Sequence, residues 1–399
     1  MEKIKVLVKG PILTLSGYGE HARFIMRSLK RREDIFDIYA ITTPWGQCRW
    51  LSEPDEERAW FDSTFKKTMV YMGKKGMFDL FINNVIPPEF ETLAPINIGV
   101  TSGIETNIAP PRWNQSCNKM DKIIVESEHA KNSLQSNFPI DIVSFPAKQV
   151  SPVGIDINLE PDFNFLVMAQ AISRKNVDTV IAAFLNEFRN ENVGLVLKLS
   201  AATDSLLQKE RLMANLTSMS NRANPRSCKV YLIYGYLSDA ELAGVFTHPK
   251  VKAFVTATKG EAFYLPMFDA VCNGLPVIAP PWSGYVDYMT MPVEKNGKMK
   301  NKFMGAKIDY VLDKIRQEDI WQGVYEKDQI WAYCTVDAVK IKMREVYKNY
   351  SVYKSQAEHL QAHVLKEFPV ERQYAEFVES VLNAMPSRME NSNANNEVK

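Results

Sequence analysis

Residues 256–289 read TATKGEAFYLPMFDAVCNGLPVIAPPWSGYVDYM. An apolar run over 251–258, VKAFVTAT, enters this stretch as a strand and stops at a turn holding Lys259, Gly260 and Glu261. Pro266 stands where a helix begins, because proline suits the first helical turn. Gly274 marks the helix stop, because glycine accepts the left-handed conformation that closes a helix. LPVIA over 275–279 is then the next strand. A helix that starts just after a strand aims its free N–H groups and positive dipole end at the carboxyl edge of the sheet, which suits a diphosphate. Glu261 precedes this helix and Asp269 falls in its first turn, so both project toward one place. Taken alone, two carboxylates at this spacing read as surface charges, since charged residues default to solvated faces.

The same alternation runs outward in both directions. Strands are predicted at 4–9, 36–43, 79–86, 96–102 and 122–127, and again at 163–171, 194–200, 229–234, 251–258 and 275–279. Between the first two lies 19–31, whose Ala22, Phe24, Ile25 and Leu29 recur at helical spacing. Strand–helix alternation implies parallel sheets with helices on both faces. The pattern restarts after a linker near Pro152–Pro161, which holds two prolines and a glycine. The chain therefore divides into 1–155, 156–336 and a helical segment over 337–385, where Val339, Met343, Val346 and Tyr350 keep helical spacing. Residues 386–399 are poor in apolar residues and are predicted to be disordered. Ligands of such sheets bind outside the carboxyl ends of the strands.

Composition narrows the function classes. The 399 residues suit two domains. The net charge of +1 gives no bulk field toward nucleic acid or membrane. Five cysteines without a CxxC support neither a disulfide framework nor a zinc site, and fit a reducing cytoplasm. No run approaches 18 apolar residues, so no transmembrane helix is predicted, and the N-terminus reads as a strand rather than a signal peptide.

The stretch GEAFYLPMFDAVCNGLPVIAPPWSG resembles the E-x7-E signature of retaining GT-B glycosyltransferases, specifically glycosyltransferase family 4. There the pattern runs close to GEGFGLPxLEAMACGLPVI, followed by a Ser-Gly turn. The resemblance extends to FLVMAQAISRKNVDTVIAAFLNEF at 165–188, KVYLIYGYLSDAELAG at 229–244, SGYGEHAR at 16–23 and VGID at 153–156. Residues 101–134 are similar to an E-T-x-x-x-P-x-x-W segment of one branch of the family. The resemblance implies a GT-B fold: two Rossmann-like doubly wound domains facing a cleft, the first for acceptor and the second for donor, with C-terminal helices packing back toward the first. It also implies transfer of a sugar from a UDP- or GDP-type nucleotide-sugar with retention of configuration.

The same resemblance distributes roles. Arg174 and Lys175 would face the donor diphosphate, where fixed cations stabilise the leaving group. Glu261 would bind hydroxyls of the transferred sugar and Asp269 the ribose diol. The backbone of Phe263, Tyr264 and Leu265 would meet sugar or phosphate oxygens, and that of Tyr236 and Leu237 the base. Gly17, Tyr18 and Gly19 would form a loop over the donor, a plain turn being the other reading. Glu105 would orient or deprotonate the acceptor, an exposed loop glutamate being the other reading. No DxD motif stands at a strand end, so neither metal nor other cofactor is expected. His21, His129, His359 and His363 read as structural or surface residues. Three departures from the family pattern are Ala262, Tyr264 and Asp269. The shorter Asp269 calls for a closer or water-mediated ribose contact, and Tyr264 would narrow the sugar site toward a compact sugar such as a pentose.

The acceptor is less legible. Residues 1–155 hold 19 Lys and Arg against 18 Asp and Glu, so no basic field marks DNA binding. Local basic clusters occur at 27–32, 66–67 and 74–75. The loop PWGQCRW at 44–50 interleaves Trp45 and Trp50 with Arg49, and suits stacking on a base or a sugar ring. Arg112 is a further acceptor candidate in the 101–134 segment. Three readings stay open: glycosylation of a hydroxymethylated DNA base, as in bacteriophage-type enzymes; glycosylation of a cell-envelope polysaccharide or lipid-linked sugar; and non-enzymatic binding of a sugar nucleotide.

Overall fold

The computed structural model describes residues 2–135, 138–201 and 204–385, and the predicted disordered tail at 386–399 lies outside them. The chain forms two compact units. The first comprises Met1–Ile104, Ile108–Pro146 and the chain from Val370 onward; the second comprises Glu105–Asn107 and Ala147–Pro369.

The first unit runs β1 (Ile4–Gly10), α1 (Gly17–Lys30), β2 (Phe36–Thr42), α2 (Glu56–Gly73), β3 (Leu80–Asn84), β4 (Ile96–Val100), α3 (Pro111–Cys117), β5 (Lys122–Val125), α4 (Glu128–Ser133) and β6 (Ile140–Ile142). Its six strands are parallel in the order β2-β1-β3-β4-β5-β6. The α1 stripe predicted from spacing is the buried one: Ala22, Phe24, Ile25 and Leu29 are all within 2% of full burial. Ser16 caps α1 by accepting from the Gly19 N–H at 3.0 Å.

The second unit runs β7 (Asn164–Gln170), α5 (Val177–Phe188), β8 (Gly194–Ser200), α6 (Leu206–Arg222), β9 (Lys229–Tyr234), α7 (Asp239–Thr247), β10 (Val251–Val255), α8 (Leu265–Cys272), β11 (Val277–Ala279) and α9 (Val286–Met289). There follow β12 (Thr290–Lys295), β13 (Lys298–Phe303), β14 (Ala306–Lys307), β15 (Tyr310–Lys314), β16 (Ile330–Cys334), α10 (Val336–Lys348) and α11 (Tyr350–Glu367). Its six-stranded parallel sheet has the order β14-β11-β10-β7-β8-β9. The antiparallel hairpins β12–β13 and β15–β16 stand outside that sheet.

The helical segment predicted over 337–385 divides into three helices with different partners. In α10, Val339, Met343 and Val346 are fully buried in the core of the second unit, with Phe184 and Phe188 of α5. Burial of each such side chain is worth about 1.5–3 kcal/mol. Pro369 cannot continue a helix, and disfavours helical backbone at Phe368 before it, so α11 ends at Glu367. The last helix, α12 (Val370–Leu382), belongs to the first unit, where Phe377 packs edge-on against Phe24 at 5.5 Å. The first unit also ends at Pro146, ahead of the linker near Pro152–Pro161, because Val153 is tied to α7 through its N–H to the Ala240 carbonyl at 3.0 Å.

Candidate active site

In an open parallel sheet the ligand crevice lies beyond the carboxyl ends of the strands where the order reverses. In the second unit the strands after β7 run outward on one side and those from β10 onward on the other, so the reversal falls between β7 and β10. The turns leaving these two strands carry Arg174, Lys175 and Glu261.

The turn after β7 closes as a single 3-10 turn over Ser173–Lys175. Asn176 follows at φ 51°, a left-handed position that asparagine tolerates better than most residues. The Asn176 side chain donates to the Ala257 carbonyl at 3.1 Å, and the Lys259 N–H donates to the Arg174 carbonyl at 2.8 Å. The two turns are thereby stitched together. In the turn after β10, a Cβ on Gly260 would lie 2.0 Å from the Glu105 carbonyl oxygen, so only glycine fits. Ser283 accepts from the Glu261 N–H at 3.0 Å and Gly284 donates to the Glu261 carbonyl at 2.9 Å. The Ser-Gly turn thus clasps the backbone of Glu261.

Glu261 is buried, its side chain 5% exposed, yet its carboxylate is fully engaged. Lys175 Nζ donates to both oxygens at 2.6 and 2.7 Å, Arg174 Nη1 at 2.9 Å and Thr258 Oγ1 at 2.6 Å. Arg174 also donates to the Gly260 carbonyl at 2.6 Å and meets Glu105 Oε1 at 3.0 Å through Nη2. Burial opposes charge on Glu261, but Lys175, Arg174 and Thr258 outweigh it and hold the carboxyl below the usual carboxylate range. Burial and the neighbouring guanidinium pull the Lys175 ammonium below an ordinary lysine, against the attraction of Glu261. Burial disfavours charge on Arg174, but the two carboxylates hold its proton firmly. Arg174 Nε is buried and has no hydrogen-bond partner among the described residues. Such a donor is costly to leave unpaired.

No family model matches the sequence, and no curated protein matches it. Solved structures do match. Sucrose-phosphate synthase from Thermosynechococcus elongatus superposes with a TM-score of 0.64 at 13% identity, covering 96% of this chain and 100% of the other. HepE of Anabaena, solved in complex with UDP and glucose, gives 0.60 at 12% identity, covering 95% and 100%. The lipopolysaccharide outer core galactosyltransferase WaaB gives 0.53 at 10% identity, covering 96% and 100%. The fold is GT-B.

Within this GT-B chain the other predicted residues separate into two groups. Around α8, Tyr264 holds φ 76°, a position where a bulky residue is strained. Its hydroxyl donates to the Met168 carbonyl at 3.0 Å, and Lys175 Nζ lies 4.2 Å from the centre of its ring. The Phe263 side chain turns into an aromatic cluster with Phe268 and Tyr288. Leu265 opens α8, half-buried, with Pro266 second. Asp269 is the fifth residue of α8, past the first turn where the sequence reading had it, because the helix begins one residue before Pro266. Tyr236 is exposed and Leu237 half-buried in the turn after β9.

The second group lies in the first unit. Gly17 and Tyr18 open α1, and Gly19 is fixed by packing, since a Cβ there would lie 2.0 Å from the Thr14 carbonyl. Tyr18 donates to or accepts from Thr101 Oγ1 at 2.9 Å and stacks on Trp45 at 3.9 Å. Trp50 pairs with Thr14 through an isolated bridge and is 45% exposed; Arg49 is exposed beside it. The loop after β1 and the 44–50 loop therefore form one surface. Arg112 is exposed on α3. His21 is buried against Phe145, 5.0 Å away. Among the described residues no group of three or more His, Cys, Asp or Glu is placed to hold a metal ion, and no helix is long and apolar enough to cross a membrane.

Four residues at the site received no role from the sequence. Thr258 bonds Glu261 and Tyr325 donates to Glu105 Oε2 at 2.7 Å. Lys259 and Asp319 form a buried pair at 2.6 Å. Thr258 had a local signal, three positions before Glu261 at a strand end. Tyr325 and Asp319 had none, because they come from the long turn of the β15–β16 hairpin.

Proposed function

We propose that this chain is a glycosyltransferase that moves a sugar from a UDP- or GDP-type nucleotide-sugar to a hydroxyl acceptor with retention of configuration. The observation that carries the reading is the buried Arg174–Lys175–Glu261 group at the reversal of strand order. Two cations held at that edge of the sheet suit an anionic ligand. HepE, described with UDP and glucose, has the same fold and supports a nucleotide-sugar as that ligand.

In the proposed reaction Arg174 and Lys175 stabilise charge that develops on the departing diphosphate, without a metal or other cofactor. The bond from the anomeric carbon to the phosphate oxygen breaks. The bond to the acceptor oxygen forms on the same face, and the acceptor proton passes to the leaving phosphate oxygen. Glu261 holds hydroxyls of the sugar, Asp269 the ribose, and the Phe263–Leu265 backbone the sugar or phosphate. Tyr236 and Leu237 border the base. The buried ring of Tyr264 favours a compact sugar such as a pentose. Five free cysteines fit catalysis in a reducing cytoplasm.

For the acceptor we propose a hydroxymethylated base in DNA. The Tyr18–Trp45 stack, exposed Trp50 and Arg49 offer a platform for a base. A second reading, a cell-envelope glycan or lipid-linked sugar, is favoured by the fold shared with WaaB. The test supplies labelled UDP-pentose, UDP-glucose and GDP-mannose with hydroxymethylated DNA, unmodified DNA or lipopolysaccharide. Label entering hydroxymethylated DNA alone supports the first reading. Label entering lipopolysaccharide alone replaces it with the second, and binding without transfer to any acceptor leaves a sugar-nucleotide-binding protein.

A further inference from the structure

Glu105 follows β4 in the chain, yet it packs within the second unit. Both of its carboxylate oxygens are held: Oε1 lies 3.0 Å from Arg174 Nη2 and Oε2 accepts the Tyr325 hydroxyl at 2.7 Å. Its neighbour Asn107 accepts the Ile330 N–H at 2.9 Å. Both oxygens are thus occupied by donors, which places Glu105 to hold a guanidinium.

Tyr325 is itself held from several sides. Its ring packs edge-on against Trp331 at 4.9 Å, and its backbone carbonyl accepts from the Trp321 N–H at 2.9 Å. The turn that carries it is pinned to the site by Lys259 Nζ, which donates to Asp319 at 2.6 Å and to Ser173 at 2.9 Å. Ser173 adjoins Arg174 and Lys259 adjoins Gly260, so the pin fastens both catalytic turns to the hairpin. The Ala332 N–H adds a bond to the Lys259 carbonyl at 2.9 Å.

We infer that Tyr325 is a positioning residue: by fixing Glu105 on Arg174 it sets the guanidinium between two carboxylates, aimed for the leaving diphosphate. This rests on the glycosyltransferase reading above. Arg174 has Glu261 and the Gly260 carbonyl on Nη1 and Glu105 on Nη2, which fixes the plane of the guanidinium. Without the Tyr325 hydroxyl, Glu105 keeps only one partner and the outer half of this clamp loosens. The loss falls on orientation in the transition state more than on capture of the donor, because Lys175 and Arg174 keep their charges.

The test is a double-mutant cycle of Tyr325→Phe and Glu105→Gln, with kcat and donor KM measured for each, beside a crystal structure of Tyr325→Phe. Phenylalanine keeps the ring packing, so the fold is preserved. Tyr325→Phe is expected to lower kcat about tenfold, about 1.4 kcal/mol, with donor KM within about twofold. In the Glu105→Gln background the same change is expected to cost less than about twofold, because Tyr325 acts through Glu105. Unchanged kcat in Tyr325→Phe, or full additivity with Glu105→Gln, overturns the inference. Should the wild-type chain turn over no nucleotide-sugar, the functional reading fails and the crystal structure decides the positioning: a guanidinium moved off Glu105 sustains it, and an unmoved one overturns it.

Discussion

Lys175 Nζ lies 2.6 and 2.7 Å from the two carboxylate oxygens of Glu261, a residue 86 positions further along the chain. Both side chains are nearly withdrawn from water, 12% and 5% exposed. A buried pair of this kind contributes little over an apolar replacement, but losing one partner strands the other charge. The pair joins the turn after β7 to the turn after β10, so stability and the proposed donor binding depend on the same atoms.

Glu261→Ala is therefore expected to destabilise the chain by about 3 kcal/mol as well as abolish transfer, since Lys175 loses its counter-ion. Urea unfolding of the variant checks this, and a loss under about 1 kcal/mol would mean that the pair is solvated. The sign with pH follows from the lowered carboxyl of Glu261. Its contribution is present above the ordinary carboxylate value of about 4.3 and fades as pH falls through the lowered one. Glu261→Gln is expected to flatten that acid limb.

Tyr264 reverses the usual ranking of alanine over glycine. At φ 76° a Cβ is strained by about 1–2 kcal/mol. Both truncations lose the buried ring, at about 3 kcal/mol or more, but only glycine relieves the backbone. Tyr264→Gly is expected to be more stable than Tyr264→Ala by about 1 kcal/mol. Thermal unfolding of the two variants with alanine the more stable would rule out the strained backbone.

His21 is buried and uncharged, and burial lowers its pKa from 6.5 to about 4. A lowered histidine contributes stability that is complete above the unfolded value and is lost as pH falls toward the folded one. From pH 7 to pH 5 the loss is about 2 kcal/mol at about 1.4 kcal/mol per unit. Replacing His21 with leucine is expected to remove this part of the pH dependence. A variant whose stability declines over that range as the wild type does would show that His21 is already protonated or exposed.

The strands and the helix α8 were legible because both faces of a parallel sheet are covered, which leaves continuous apolar runs such as FNFLVMAQA and GLVLKLS. The meeting of Arg174 and Lys175 with Glu261 was legible through the resemblance carried by residues 165–188 and 256–289 together. The hairpins were not. Along β13 only Phe303 is buried and the other residues are exposed, so no alternation marks it. The Tyr325–Glu105 contact joins positions 220 apart and leaves no local trace. The division of the helical segment was missed for a related reason: periodicity reports a helix but not its partner, and α10 and α12 serve different cores.

Gly260→Ala probes the close approach directly. The added methyl would meet the Glu105 carbonyl at 2.0 Å and the Trp282 ring at 2.7 Å. A cost of about 2 kcal/mol is expected, within the range for overpacking. Gly17→Ala, with nothing within 4 Å of the new atom, serves as the control and is expected to leave stability unchanged. Equal stability of the two variants in urea would contradict the packing at Gly260.

The second unit is proposed to bind a nucleotide-sugar at Arg174, Lys175 and Glu261. The most direct test is unfolding of the wild-type chain with and without a panel of UDP-, GDP- and ADP-sugars and the free nucleotides. A ligand bound only by the native state, at about a hundred times its Kd, adds about 2.7 kcal/mol. Stabilisation of that order by a UDP- or GDP-sugar is expected; a chain whose unfolding no member of the panel shifts would contradict nucleotide-sugar binding at this site.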